Sequence, residues 1–428
     1  MGQFLAFALA QCARFATRLR GGGSAFPGLV LLRMRPDILG ATLSNLAHGV
    51  IFVSGSNGKS TTTTMVASVL RAHGMRVFTN PAGGNLPQGL ASALVAQASL
   101  RGRLRADIAV LEVDEAYGAQ IAALVKPDWV VLTNVQVDQL NRFGEPENVY
   151  RMLHDLSAGA SHGVVLNAGD PNLAMMGANL SQSGQLVHTI DVSDQARLSA
   201  SHGLVPAALF FDQEEDPGAN INHSAPRALL RTMEGSVATI EVSGNSLTLE
   251  LPAPGLHYGV DATLALAMAD VMVDDGLQAD RVATAMAGGA PVFGRGEVIT
   301  YRGRQIALTM MKNLPSLQVN LDALEGPLER VWIAVDEGTP DPSWIYDADI
   351  SVLDHVDVLS GSKALQWALF LETRGIPYGH IVEDTAEGLR HVVGLAASTA
   401  QPVHAIVNYE QMMSIRRLAG YKELEGAS

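Results

Sequence analysis

The segment Ile51–Thr64, IFVSGSNGKSTTTT, constrains this chain more than any other stretch. Ile51 to Val53 is a short apolar run, Gly55 and Gly58 bound a turn, and Met65, Val66 and Leu70 follow at helical spacing. That order predicts a buried strand, a tight loop and a helix start. Glycines let backbone N–H groups turn inward toward phosphate oxygens, and the helix N-terminus adds a favourable dipole. Residues Gly55, Ser56, Asn57, Gly58, Lys59, Ser60 and Thr61 are therefore the predicted phosphate cradle. Lys59 would neutralise the terminal phosphates and the Ser60 hydroxyl would ligate Mg²⁺. The general GxxxxGK[ST] pattern needs glycine at position 53, which is Val53, so this loop is a shorter variant.

A nucleotide–magnesium site also needs carboxylates near the phosphates. The apolar run Ile108 to Leu111 ends in Glu112-Val113-Asp114-Glu115, and Glu112 is the predicted metal ligand. Other runs, Val50 to Val53, Trp129 to Thr133 and Val164 to Asn167, alternate with helix-like stretches. This alternation predicts an α/β domain with a mostly parallel sheet covered on both faces, whose ligands bind at the carboxyl ends of the strands. Residues 180–252 look different: short alternating runs at Val237–Val242 and Ser246–Leu251, and the polar stretch FDQEEDPGANINHS, predict an antiparallel β insertion. The helical stretch Asp261–Val273 returns to the first domain, and FGRGE (293–297) marks a boundary. Beyond it, runs at Ile306–Met310, Val331–Val335, Ile350–Leu353 and Val403–Val407 predict a smaller α/β domain. The expected division is a lead-in at 1–46, a central domain at 47–298 and a C-terminal domain at 299–428.

Bulk chemistry narrows the rest. At 428 residues the chain is too long for one core. A formal charge of −14 argues against nucleic-acid binding, because a phosphate backbone needs a basic face. A single cysteine, Cys12, excludes an internal disulfide and a cysteine-based zinc site, which fits a reducing cytoplasm. No run reaches the length of a membrane-spanning helix. The first 20 residues, MGQFLAFALAQCARFATRLR, place Arg14, Arg18 and Arg20 behind the apolar part, the reverse of a secretory signal. They form either a helix packed on the first domain or one that touches an anionic membrane surface.

The loop, EVDEA (112–116), NVQVDQLNRFGE (134–145) and LNAGDP (166–171) occur in an order that resembles the Mur ligase superfamily. Within it the chain is most similar to the MurT family, ligase subunits of lipid II isoglutaminyl synthases, through GGGSAFPG, DQLNRFGE, FGRGE and PSWIYDAD (342–349). The likeness runs over essentially the full length and is patchier beyond residue 300. It implies a P-loop Mur ligase central domain followed by a smaller α/β domain. It also implies ATP-dependent amidation of the α-carboxyl of D-glutamate in the peptidoglycan stem of lipid II, through an acyl phosphate. The ammonia would come from a GatD-like glutamine amidotransferase subunit in a heterodimer. The loop begins near residue 55, which leaves no room for the amino-terminal UDP-binding domain of the cytoplasmic Mur ligases and favours a lipid-linked substrate.

By the same resemblance, Lys59 meets the β/γ-phosphates, Ser60 and Glu112 hold Mg²⁺, and Asn134 and Asp138 face the phosphates. Gln139 stands where many Mur ligases have histidine, His257 and Asp261 lie near the adenine, and Arg295 steadies the transferring phosphate. Asp341, or alternatively Asp347 or Asp349, would complete the partner's Cys–His pair. The sequence departs from the family where a four-cysteine zinc ribbon is usual. Residues 200–235 contain only His202 and His223, so no zinc is expected. The family's KNPAG reads Lys312-Asn313-Leu314-Pro315-Ser316, and its YTAM reads Tyr409-Glu410-Gln411-Met412. A stand-alone amino-acid ligase of the folylpolyglutamate type and a catalytically silent nucleotide-binding subunit remain as alternatives.

Overall fold

The computed structural model describes residues 2–19, 25–80, 84–138, 144–204, 206–207, 225–288, 295–324, 326–339, 342–396 and 400–421, with the backbone alone at 18, 19, 295 and 296. The sequence expectations for Gln139, His223 and Asp341, and for the side chain of Arg295, lie outside the described residues, as does most of DQLNRFGE.

Among the described residues fifteen strands form two sheets. The larger contains β1 (Val50–Ser54), β2 (Val77–Thr79), β3 (Ile108–Glu112), β4 (Trp129–Leu132), β5 (Gly163–Asn167), β6 (Leu186–Val192), β7 (Ala228–Glu234), β8 (Val237–Val242) and β9 (Asn245–Glu250). Its order is β2-β3-β1-β4-β5-β6-β7-β8-β9. Strands β1, β3, β4 and β5 are buried at every position, as continuous apolar runs require when both faces are covered.

The two faces feed separate cores. Ile51, Val53, Val110 and Val131 point to one, shared with α4 (Lys59–Ala72) and the helices Leu256–Met272 and Ala279–Ala287. Phe52, Ala109, Leu111 and Val130 point to the other, shared with α1 (Gln3–Leu19), α2 (Phe26–Met34), α3 (Ile38–Leu43) and α5 (Pro87–Gln97). Helix Leu256–Met272 is buried almost throughout, which explains why it is apolar all round instead of amphipathic.

The stretch read as an antiparallel insertion is more continuous with the sheet than expected. Strand β6 pairs parallel with both β5 and β7, and the antiparallel part is confined to β7, β8 and β9. The alternation in Val237–Val242 reports that hairpin geometry; it could not reveal that β7 first extends the parallel sheet.

The second sheet holds β10 (Arg295–Tyr301), β11 (Arg304–Met310), β12 (Val331–Ala334), β13 (Val356–Ser360), β14 (Tyr378–Val382) and β15 (Val403–Val407), ordered β10-β11-β15-β12-β13-β14. It is parallel except for the β10–β11 hairpin. Strand β10 runs across the expected boundary at 298/299. Ile350–Leu353 is not a strand. The Asp349 carboxylate accepts from the Ser351 backbone N–H and the Leu353 N–H donates to the Ile350 carbonyl, which folds the segment into turns whose Ile350 and Leu353 side chains still reach the core. The strand that fills this place is β13, disguised in sequence by Asp357.

Candidate active site

Strand β1 runs into α4 through Ser54–Gly58, and the turn works only with glycine at two positions. Gly55 has φ +129° and a Cβ there would lie 2.3 Å from Thr133 Oγ1. Gly58 caps α4 with φ +83°, and its Cβ would lie 2.3 Å from Asp261 Oδ1. Asn134, just past β4, holds the loop from the side. Its Oδ1 accepts from Asn57 N at 2.9 Å, and its backbone carbonyl accepts from Ser56 N at 3.0 Å. Thr133 Oγ1 donates to the Asn57 carbonyl at 2.6 Å, and Asn57 Nδ2 donates to Gln136 Oε1 at 2.6 Å. The loop is thus braced before any nucleotide arrives, which lowers the ordering cost of binding.

The charged groups converge on the helix start. Lys59 Nζ donates to the Ser56 carbonyl at 3.2 Å and to Glu115 Oε1 at 2.5 Å. Burial opposes the Lys59 charge, but the Glu115 carboxylate, joined by Asp138 and Glu112, overrides it and raises the pKa above the ordinary lysine value. Ser60 Oγ donates to Glu112 Oε2 at 2.7 Å. Glu112 is held by Asn80, which exchanges two hydrogen bonds with its backbone, and Asn85 Nδ2 approaches Glu112 Oε1 at 3.4 Å. The hydroxyl and carboxylate are hard oxygen donors side by side, and this set fits Mg²⁺.

The second domain contributes directly. Lys312, between β11 and the helix Leu314–Asp322, donates to the Ser56 carbonyl at 2.8 Å and to Asp138 Oδ2 at 2.7 Å. Burial depresses its pKa; Asp138 opposes the shift, and the side chain keeps 28% exposure. A cleft opens between the domains, lined by Asn57, Gly58, Asn134, Gln136, His257 and Asp261 on one side and by Met310, Lys312, Pro315 and Val319 on the other. Asn167 and Asp170 also line it, and burial pushes the Asp170 carboxyl up to about 6 against three backbone N–H donors. Asp261 sits beneath the loop, where Thr62 Oγ1 donates to its Oδ1 at 3.2 Å. Lys59, Ser60 and Glu112 lie outside the cleft lining.

The structure therefore brings together Gly55, Ser56, Asn57, Gly58, Lys59, Ser60, Glu112 and Asn134, and puts His257 and Asp261 on the adjoining cleft. Thr61 is buried in the first turn of α4. Asp347 ends a 3₁₀ turn, Ser343–Asp347, and is exposed; Asp349 lies 3.3 Å from His202 Nε2. Glu115 and Lys312 were not assigned to the site from sequence. Glu115 was visible as one of three clustered acids, whereas nothing local ties Lys312 to a loop 256 residues away.

A braced phosphate loop with strand-end carboxylates beside it, and a second α/β domain that meets the loop through Lys312, are the parts of an ATP-dependent ligase. Residues 53–269 match the family described as Mur ligase middle domain, and the chain belongs to the Mur ligase family. It is 25% identical to the MurT subunit of lipid II isoglutaminyl synthase (glutamine-hydrolyzing) from Staphylococcus aureus strain COL, over 90% of each chain. It is also 25% identical to the MurT subunit from Streptococcus pneumoniae strain ATCC BAA-255 / R6, over 96% of each. Its fold resembles that of MurF ligase from Thermotoga maritima in complex with ADP. The TM-score is 0.62 at 17% identity, covering 90% of this chain and 82% of that one.

Proposed function

We propose that this chain is the ligase subunit of a two-component enzyme that amidates the α-carboxyl of D-glutamate in the peptidoglycan stem of lipid II. The observation that carries the reading is the Lys59, Ser60 and Glu112 arrangement within a chain that matches MurT subunits over at least nine-tenths of its length.

A carboxylate resists attack by ammonia until one oxygen becomes a better leaving group. The carboxylate oxygen attacks the γ-phosphorus of ATP, the bond to the β-phosphate bridging oxygen breaks and ADP departs. Ammonia then adds to the acyl carbon and inorganic phosphate leaves, carrying the former carboxyl oxygen. Lys59 neutralises and positions the β/γ-phosphates, leaving Glu115 as they arrive, and the loop N–H groups orient them. Ser60 and Glu112 would hold Mg²⁺, which supplies charge neutralisation at the phosphates. Asn134, His257 and Asp261 form the nucleotide side of the cleft, and Arg295 steadies the transferred phosphoryl group. Lys312 adds a cation from the second domain.

Ammonia is supplied by a GatD-like glutaminase bound to the C-terminal domain. Asp341, or alternatively Asp347 or Asp349, completes that partner's Cys–His pair by fixing the histidine tautomer. The His202 contact engages Asp349 within this chain and favours the other two. The enzyme works in the cytoplasm at the inner membrane face.

The test combines the purified chain, the glutaminase, glutamine, ATP, Mg²⁺ and a D-glutamyl stem substrate. Conversion of the substrate carboxyl to an amide with release of ADP and phosphate is expected. Free ammonium should replace glutamine and partner. Addition of an amino acid in place of ammonia, or no ATP consumption under any condition, sinks the reading.

A further inference from the structure

Helix α1 packs inward through Ala6, Phe7 and Ala10, all fully buried, and Gln11 anchors it by donating to the Val95 carbonyl of α5. Its outward arc is the unusual part. Phe4 is 56% exposed and Phe15 67%, and Leu5, Leu9 and Cys12 are exposed beside them. Among the described side chains no charged residue breaks this arc, although a helix resting on a soluble domain normally turns polar groups to water. Neighbouring α2 adds Phe26 and Leu29, each about half exposed.

Charge identifies the occupant. Residues 1–36 contain five arginines, Arg14, Arg18, Arg20, Arg33 and Arg35, and no acid, in a chain whose net charge is −14; Asp37 follows and pairs with Arg35 at 2.8 Å, so the segment's basic excess rests on the other four arginines. A second copy of this surface would set like charges against each other. An anionic lipid leaflet offers hydrocarbon to the aromatic arc and phosphates to the arginines. No helix among the described residues, α1 included, is long and apolar enough to cross a bilayer. We infer that α1 and the start of α2 form a monotopic docking surface, with α1 lying in the plane of an anionic membrane. This inference stands on the exposed arc and the arginines and does not depend on the ligase reaction.

Cys12 lies on the arc and is the chain's one cysteine, so an environment-sensitive fluorophore can be placed there without mutation. With the full chain and vesicles of phosphatidylglycerol and phosphatidylcholine, the expected result is a blue-shifted emission and co-sedimentation. Binding should be about tenfold stronger than to pure phosphatidylcholine and should weaken as salt rises from about 0.05 to about 0.5 M. Because the label itself occupies the arc, sedimentation of unlabelled protein is measured in parallel. The exposed double variant Phe4→Glu/Phe15→Glu should lose binding about tenfold or more while melting and ATP turnover without vesicles stay as in the parent. Equal binding to neutral vesicles, no binding to either, or a solution dimer that Phe15→Glu disperses would each overturn the inference.

Discussion

At the residue scale, the Lys59–Glu115 pair sets the terms. Both side chains are nearly buried, so removing one leaves an uncompensated charge, a loss of about 3–5 kcal/mol. Lys59→Ala is expected to cut ATP turnover at least about a hundredfold, as measured by phosphate release, and to lower the melting temperature. Adding Glu115→Gln should recover much of the melting temperature and none of the turnover, separating the structural from the chemical part of the lysine. Local pattern made Gly55, Lys59, Ser60 and Glu112 readable, because each sits within a few residues of the strand or helix end that positions it. Glu115 and Lys312 were not readable in this sense. The lysine that neutralises Glu115 lies 56 residues away, and the loop that Lys312 meets lies 256 residues away.

At the element scale, the junction of β1 and α4 depends on one left-handed residue. Gly58→Ala would combine a positive φ with a side chain driven against Asp261. The expected cost is about 1–3 kcal/mol of stability, with loss of nucleotide affinity, read by chemical denaturation and by ADP titration. The central strands were legible because burial on both faces writes them as apolar runs. The second domain was less so. Strand β14 is largely exposed and carries Gly379 and His380, so its composition gives no apolar signature. The turn at Ile350–Leu353 carries a strand-like composition because two of its side chains enter the core.

At the scale of the whole molecule, polar contacts centred on Lys312 and on His202 join the domains among the described residues. Lys312 reaches Asp138 and the loop, and His202 reaches Asp322 at 2.9 Å and Asp349 at 3.3 Å. The hydrogen bond to Asp322 raises His202 above the ordinary histidine value of 6.5; burial opposes it, and the charges of Asp322 and Asp349 add to the rise. Protonated His202 therefore favours the folded, joined state. Its contribution is complete below the unfolded value near 6.5 and is lost as pH rises through the raised native value. The difference in melting temperature between the parent and His202→Gln should accordingly shrink over that rise. A double variant, His202→Gln/Lys312→Gln, should enlarge the radius of gyration in small-angle scattering at any pH; an unchanged radius would show that other contacts hold the domains. Neither contact was legible in sequence, since each pairs groups on separately folded units.

Lys312 also bears on timing. An ammonium that touches the phosphate loop while rooted in the opposite domain is present only when the two halves meet. Under the proposed ligase reaction, phosphoryl transfer that drew on this charge would be a coincidence detector: ATP held by the loop alone would stay intact while the second domain was apart. An activated carboxylate would otherwise hydrolyse in open water, and a catalyst built this way spends nucleotide only when its second domain is in place.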